Sequence, residues 1–567
     1  MIVITRILAI LTLMISMPLF GQKNYDLAYA NDVIHTFIKH PKTNFKDSIS
    51  AFRYLVGLQN TAISKGYLLA SVDSLLHNPN KSTVYFYLGE KQKEIQLRTS
   101  TENIRFLRKN SSVSEKIIGH VPFSPKELAS ILIKIQNAYL NNGYPFISVT
   151  IEEHKFTGNS ISGVLTIKKG PSLNWSKVNI KGDSSVSVKY VSNLLNIRKG
   201  EKYVESEIQK ITNRIQQVPF LKEIKPAELL FTKQGVELFI YLEAIPISAV
   251  NGIIGFQPDP TSGKLSFTGE LNLKLLNTLK RGELLDIKWQ SIRDQTQSLD
   301  AQLNYPFLFN TSFGVDGTFN LYKRDTSFIE LNSSIGVEYY LNSGSKLKVF
   351  YQNISSNVLS GGSNNPSFSA LGSTKSNNYG LSFSTRQIDY IPNPSRGYII
   401  SIQGSAGTRN SQITDTSLVV KSLTYRGQSE MELYIPLSRR HIIRLANLTE
   451  FYTAPTIFQN ELFRFGGLTN QRGFNEDELL STTKSTTTIE YRFLLDRNSH
   501  VFAFFDQSWY ENNAVDYSKD NPFGFGVGFS FSTNFGVFSI SYALGKQLSN
   551  QILFSNSKVH FGYIVYF

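Results

Sequence analysis

The 567 residues carry 40 Phe and 28 Tyr against 3 Trp and 4 Met, and 58 Lys and Arg against 44 Asp and Glu. That length exceeds what one soluble core sustains, so several domains are expected, and an aromatic, polar mixture of this kind suits alternating strands. The complete lack of cysteine excludes disulfides and thiolate chemistry in any compartment.

The positive excess is nearly all N-terminal. Residues 251–567 hold 27 basic and 25 acidic side chains, which leaves 31 and 19 for residues 1–250. No nucleic-acid motif accompanies this basic half. Anionic lipid head groups or acidic polypeptide segments are therefore the expected partners, and nucleic acid is not.

In chain order, residues 1–21 come first. The run MIVITRILAILTLMISMPLFGQ has one basic residue, an apolar stretch of signal length interrupted by Pro18, and Gly21 before Gln22. It resembles a cleavable secretory signal, so export is the expectation. After it no apolar run reaches the 18 or so residues a membrane helix needs, and any membrane role must come through strands.

Residues 24–245 alternate helical and strand patterns. AFRYLVGLQNTAISKGYLLASV (51–72) and ASILIKIQNAYLNNGYPFISV (129–149) each run an apolar helix of period 3.6 into Gly-Tyr and then a strand-rich stretch. Gly66 and Gly143 read as helix stops. A third helix, EIQKITNRIQQVPFLKEIKP (207–226), meets Val-Pro-Phe at a comparable interval. The second strand of each unit reads STVYFYLGEK, ISGVLTIKKGP and GVELFIYLEAIP. Equal spacing of like units indicates tandem modules of roughly 75 residues. We place them at 22–91, 92–170 and 171–245. They resemble the POTRA domain, a strand-helix-helix-strand-strand unit of periplasmic arms. The resemblance implies a small sheet whose free edge receives an extended client strand through backbone hydrogen bonds.

From residue 246 to 567 the period becomes two. Sixteen strands are expected, starting near residues 249, 262, 283, 298, 312, 329, 345, 377, 396, 418, 441, 484, 500, 523, 536 and 559. An even count suits a transmembrane antiparallel barrel. The long gaps at 358–376, 455–483, 511–522 and 547–558 all fall on odd-to-even connections, as outside loops do when both ends face the periplasm. The last strand, KVHFGYIVYF, puts Val559, Phe561, Tyr563, Val565 and Phe567 on one face, a stripe suited to lipid. Its terminal Phe resembles the signal by which outer-membrane proteins are recognised for insertion.

The longest of these loops contains FRFGGLTNQRGFNEDE, a poor strand and a poor helix. With TRQIDYIPNPSRGY (385–398), TTTIEYRF (486–493), VFAFFDQSWY (501–510) and FGFGVGFSFSTNFGVFSISYA (523–543), it resembles the superfamily of BamA- and TamA-like assembly factors and two-partner-secretion transporters. One departure is Ser508, where the family usually has Gly.

The resemblance implies a loop folded back into the lumen, carrying Gly466, Gly467, Arg472, Gly473 and Phe474, with Glu490 and Asp506 as its anchoring carboxylates. A buried Arg472 needs such partners. Gly473 permits a tight turn beside the wall, and Phe474 wedges into a lumen pocket. Gly252, Gly255 and Gly562 mark a weak seam between the first and last strands.

The 8 histidines are scattered without metal-ligand spacing, and Glu476, Asp477 and Glu478 lack the spacing of a calcium loop. No enzyme, cofactor or metal is expected. The expected function is an outer-membrane protein assembly or translocation factor. It would sit in the bacterial outer membrane with its modules in the periplasm, meeting outer-membrane lipids, unfolded outer-membrane or secreted clients, and periplasmic or inner-membrane partners. The alternatives are a two-partner-secretion transporter and a phospholipid conduit using the basic arm. A passive porin fits less well, because it needs neither modules nor a bound loop.

Overall fold

The computed structural model describes residues 25–567 apart from 79–80, 114–120, 123, 184, 246–247, 259–264, 294–295, 342–343, 360–370, 391–392, 414–418, 469, 515–516, 534–535, 549 and 565–567. The signal-like segment therefore lies outside the described residues, as do Val565 and Phe567. Internal contacts divide the chain into two compact units, residues 1–174 with 202–206, and residues 175–201 with 207–567.

The first unit holds two α+β modules. In the first, the helix Ser48–Ser64 starts at Asp47, whose carboxylate accepts the Ser50 amide at 2.6 Å. Ala51, Leu55, Leu58 and Ala62 repeat on one buried face and pack on Val84 and Phe86 of the sheet. Gly66 follows the last turn with φ of 101°, which favours glycine. The sheet order places Lys81–Tyr87 between Tyr25–Tyr29, to which it runs parallel, and the edge strand Ser71–Asn78.

The second module repeats this plan. Ser160–Lys168 lies between Glu94–Arg98 and the edge strand Ser148–Thr157, under the helices Thr101–Asn110 and Pro125–Leu140. Its core centres on Tyr139, fully buried, whose hydroxyl donates to Asn103 Oδ1 at 3.0 Å.

In the second unit a third sheet places Gly235–Ala244 between Trp175–Gly182 and the edge strand Leu221–Thr232. The helix expected over 207–226 is shorter. It breaks at Lys210 into Glu205–Gln209 and Ile211–Gln216, and Leu221 onward pairs with Ala244 as strand. Pairing with a neighbouring strand overrides the apolar spacing, and Pro226 is tolerated because an edge strand needs no N–H there. In all three modules the edge strand carries an irregularity that inserts extra residues, near Asp73, at Glu153 and His154, and between Glu223 and Glu228.

The rest of the second unit is one antiparallel sheet of seventeen strands in sequence order. Among them Ser518–Asp520 is a three-residue segment that pairs with the end of His500–Asn512, the strand whose other part pairs with Phe523–Thr533. Pro522 has no N–H to donate and interrupts what is otherwise one strand, so the wall has sixteen staves. The first is Ala249–Pro258 and the last Lys558–Ile564. Eleven to fifteen are His441–Thr453, Thr483–Leu494, His500–Asn512, Phe523–Thr533 and Gly536–Lys546. Among the described residues no ladder joins the first stave to the last.

The three longest connections, 359–371, 454–482 and 547–557, all lie on one rim, and the fourth long gap expected there shortens to 513–517 because Ser518–Asp520 belongs to the fourteenth stave. The third module packs at the other. There the Tyr190 ring meets Phe307 at 5.6 Å, and Gln217 donates to Gln387 Oε1 at 3.0 Å. The outward face is apolar: Ile335, Val349, Leu381, Leu423, Ile489, Val527, Val559 and Phe561 are exposed. Among the described residues no helix is long and apolar enough to cross a membrane.

Candidate functional site

The connection 454–482 enters the space enclosed by the wall. A short hairpin, Phe463–Phe465 with Leu479–Ser481, carries the chain in and out. Its tip presents Gln471 and Arg472, both buried.

Alternation along the two strands beside the tip aims Glu490 and Asp506 inward while Ile489 and Phe505 stay exposed on the other face. Arg472 reaches both carboxylates. Its Nε and Nη2 donate to Asp506 Oδ2 and Oδ1, each at 2.8 Å, and Nη1 donates to Glu490 Oε2 at 2.7 Å. This is a bidentate fork plus a third charged bond, a geometry that fixes orientation as well as position. The backbone N–H of Arg472 adds a bond to Asp506 Oδ2 at 3.1 Å, and the guanidinium stacks 3.5 Å over the Phe504 ring. Arg492 holds the other Glu490 oxygen at 2.8 Å, and Thr488 donates to Asp506 Oδ1 at 2.8 Å. All three charges of the fork are buried, with Asp506 only 1% exposed.

The backbone of the tip touches the next two strands. Gly473 has φ of 94°, and a Cβ there would lie 2.8 Å from Leu544 O and Gly545 N. A Cβ on Gly524 would collide with the Arg472 carbonyl. Only bare backbone on both sides allows so close an approach. On the last strand, His560 Nε2 accepts the Gly473 amide at 3.4 Å. The tip thus contacts five consecutive strands, twelve to sixteen.

Phe474 lies in a buried cluster with Phe465, Leu479 and Tyr510. Gly466 and Gly467, with φ of 125° and 92°, form the turn that leads to the tip. Gly252 and Gly255 pair with Leu271 and Thr268 of the second strand and do not meet the loop in any described contact. Gly562 pairs with Ser539, where an added Cβ would sit 3.3 Å from Leu468 Cδ2. Tyr563 pairs with Phe538.

Two contributors, Ser508 and Gln507, escaped the sequence reading. Ser508, the departure from the family pattern, is fully buried, and its hydroxyl donates to Gln471 Oε1. Gln471 Nε2 in turn donates to the Asp506 carbonyl at 3.2 Å. Gln507, awkward as an outward residue, donates to the carbonyls of Asn521 and Pro522, each at 3.3 Å, where the fourteenth stave is interrupted. The available signal was the proline itself, which leaves neighbouring carbonyls to be satisfied from elsewhere.

Among solved structures, CdiB from Escherichia coli is similar at 13% identity and a TM-score of 0.52, over 91% of this chain and 97% of that chain. CdiB from Acinetobacter baumannii is similar at 12% identity and a TM-score of 0.53, over 84% and 90%. BamA from Haemophilus ducreyi lacking POTRA domains 1–3 matches at 13% identity and a TM-score of 0.44, over 84% and 99%. No protein-family model and no curated protein matches the sequence. This likeness establishes the fold, small α+β modules followed by a large antiparallel barrel.

Proposed function

We propose that the chain is an outer-membrane protein assembly or translocation factor, in which the modules capture an extended client and the barrel opens sideways at the seam between its first and sixteenth strands. The observation that carries this reading is the one-sided grip of the loop's tip. Its tip holds strands twelve to sixteen through Glu490, Asp506, Gly524, Gly545 and His560. The first strand's described ladder runs only to the second. One flank of the seam is braced and the other is held by a single neighbour, with Gly252 and Gly255 lowering the stability of that pairing.

An unpaired strand edge templates another strand through backbone hydrogen bonds, whatever the client's side chains. Each module presents such an edge, and the third sits at the rim of short connections, the periplasmic rim in this reading. The exposed apolar outer face supports a lipid environment, and the fold shared with the CdiB structures supports polypeptide clients.

A second reading, a secretion transporter that passes polypeptide through the lumen, is favoured by the CdiB likeness and by the polar lining of the interior, where Asn332, Gln352, Gln403 and Gln428 stand beside Lys348, Arg426 and Glu450. Disulfide trapping separates the two in this cysteine-free chain. One cysteine is placed within 250–257 and one within 559–566, and outer-membrane protein levels and ion conductance are followed. Loss of assembly with conductance intact supports lateral opening. Unchanged assembly with a locked seam refutes it and favours passage through the lumen.

A further inference from the structure

We propose that Glu461 is a second anchor of the inward loop, independent of Arg472, and that the loop closes the lumen as a strap fixed at two places. Glu461 lies near the start of the loop and is 8% exposed; its partner Arg409, on the ninth strand Gly397–Ile413, is 1% exposed. Arg409 Nε and Nη2 donate to the two oxygens of Glu461 at 2.8 and 2.5 Å. The Tyr452 hydroxyl and the Phe458 amide donate to the same two oxygens at 2.8 and 3.0 Å. Every oxygen of this carboxylate is therefore used twice, the full satisfaction a buried charge requires.

Beside it Asn460, fully buried, donates to Ser356 Oγ at 2.7 Å and to the Gly372 carbonyl at 2.8 Å, and accepts the Gly372 amide at 3.2 Å. Arg464, on the inward arm of the hairpin, reaches Glu330 at 3.3 Å and stacks 4.1 Å over Tyr322. Apart from Tyr452 on the eleventh strand and Phe458 in the loop itself, these contacts fall on the strands Phe313–Arg324, Phe328–Tyr340, Lys346–Val358, Gly372–Ile388 and Gly397–Ile413. None of them belongs to the group held by the tip.

One loop thus ties the fifth to ninth strands to the twelfth to sixteenth. Releasing the tip frees the flank of the seam while the strap stays across the lumen. Opening the lumen requires both anchors to let go. Polar spaces of about 320 and 300 Å³ lie beside the strap, the first touching Phe463 and the second Arg464, Glu476 and Asp477. In this scheme Glu461 and Arg409 are positioning residues that act on passage through the barrel and not on the seam.

The inference rests on the barrel reading of the proposed function, so the test begins with that. Purified full chain is reconstituted into vesicles, and a heat-modifiable folded band is scored. If the parent chain does not insert, the membrane reading itself fails. If it inserts, ion conductance is measured in planar bilayers for Glu461→Gln, Arg472→Gln and the two combined. Each single variant is expected to conduct like the parent, and the combination to rise about tenfold or more, the scale of one modest coupling free energy.

Exchanging the pair as Arg409→Glu with Glu461→Arg, in the Arg472→Gln background, is expected to close the pore again, which a merely structural role does not produce. Full conductance from Arg472→Gln alone, or a closed combined variant, overturns the second anchor. Should Glu461→Gln fail to fold, Asn460→Ala loosens the same arm without leaving a buried charge unpaired.

Discussion

Asp506→Asn is the most direct probe of the loop tip, because it keeps the side chain's size and removes its charge. The carboxylate takes three bonds from Arg472 at 2.8, 2.8 and 3.1 Å and one from Thr488. Losing one partner of a buried ion pair costs about 3–5 kcal/mol, because the other charge stays desolvated. Glu490 remains 2.7 Å from Nη1, so the lower end applies, about 3 kcal/mol, equivalent to an about 150-fold shift of the tip from docked to undocked. Ser508 is fully buried in contact with Gln471 and supplies the reporter. In a Ser508→Cys background the introduced thiol reacts with a maleimide only when the tip leaves, so its labelling rate is expected to rise by that factor. Arg472→Met with Asp506→Asn completes a double-mutant cycle. An unchanged labelling rate, or energies for the two substitutions that add within about 0.5 kcal/mol, refutes direct pairing.

Gly524→Ala is expected to expel the tip as effectively as Asp506→Asn without touching a charge, because its methyl meets the Arg472 carbonyl; normal protection of the same thiol counts against the close packing. Charge exchange, Arg472→Glu with Asp506→Arg, is expected to restore little, since the new glutamate faces Glu490; adding Glu490→Gln should improve docking, and a triple variant no better than the double contradicts this geometry. Phe561→Lys puts a charge on the exposed outer face of the last strand and is expected to cost about 2–4 kcal/mol of barrel stability at mid-bilayer depth, read by urea unfolding in vesicles. Tyr139→Phe removes the bond to buried Asn103 and is expected to cost about 1–2 kcal/mol, seen as faster amide exchange in 99–107 of the full chain; unaltered exchange means the bond contributes nothing net.

The barrel was legible because its information is local. A two-residue period marks each strand, turn residues bound it, and the sixteen starts read from the sequence correspond to the sixteen staves. Where a contact joins distant residues, periodicity says nothing. Arg409 and Glu461 are far apart in the chain, and neither belongs to a motif, so the loop's second fixation could not be read in advance. A lone Arg-Gly-Phe amid glycines and acids breaks the strand pattern and draws attention to Arg472, but its place in the lumen was read through the family resemblance. The role of Ser508 was hidden by its very departure from the family pattern. The third helix was overread because Ile208, Ile211 and Ile215 set an apolar spacing that runs on toward Phe220, while the sheet claims the chain from Leu221.

The irregularities in the three module edges bear on crowding and solubility. Each edge strand is largely exposed, and a straight edge of that kind invites a neighbouring molecule to continue the sheet. An inserted residue breaks the ladder and adds twist, so two such edges meeting head to head stay in register only over the stretch between irregularities. A loosely held, flexible strand can follow the bend where a folded edge cannot. Straightening one of these edges, by deleting Asp73 for instance, is therefore expected to lower the concentration at which the protein stays monodisperse.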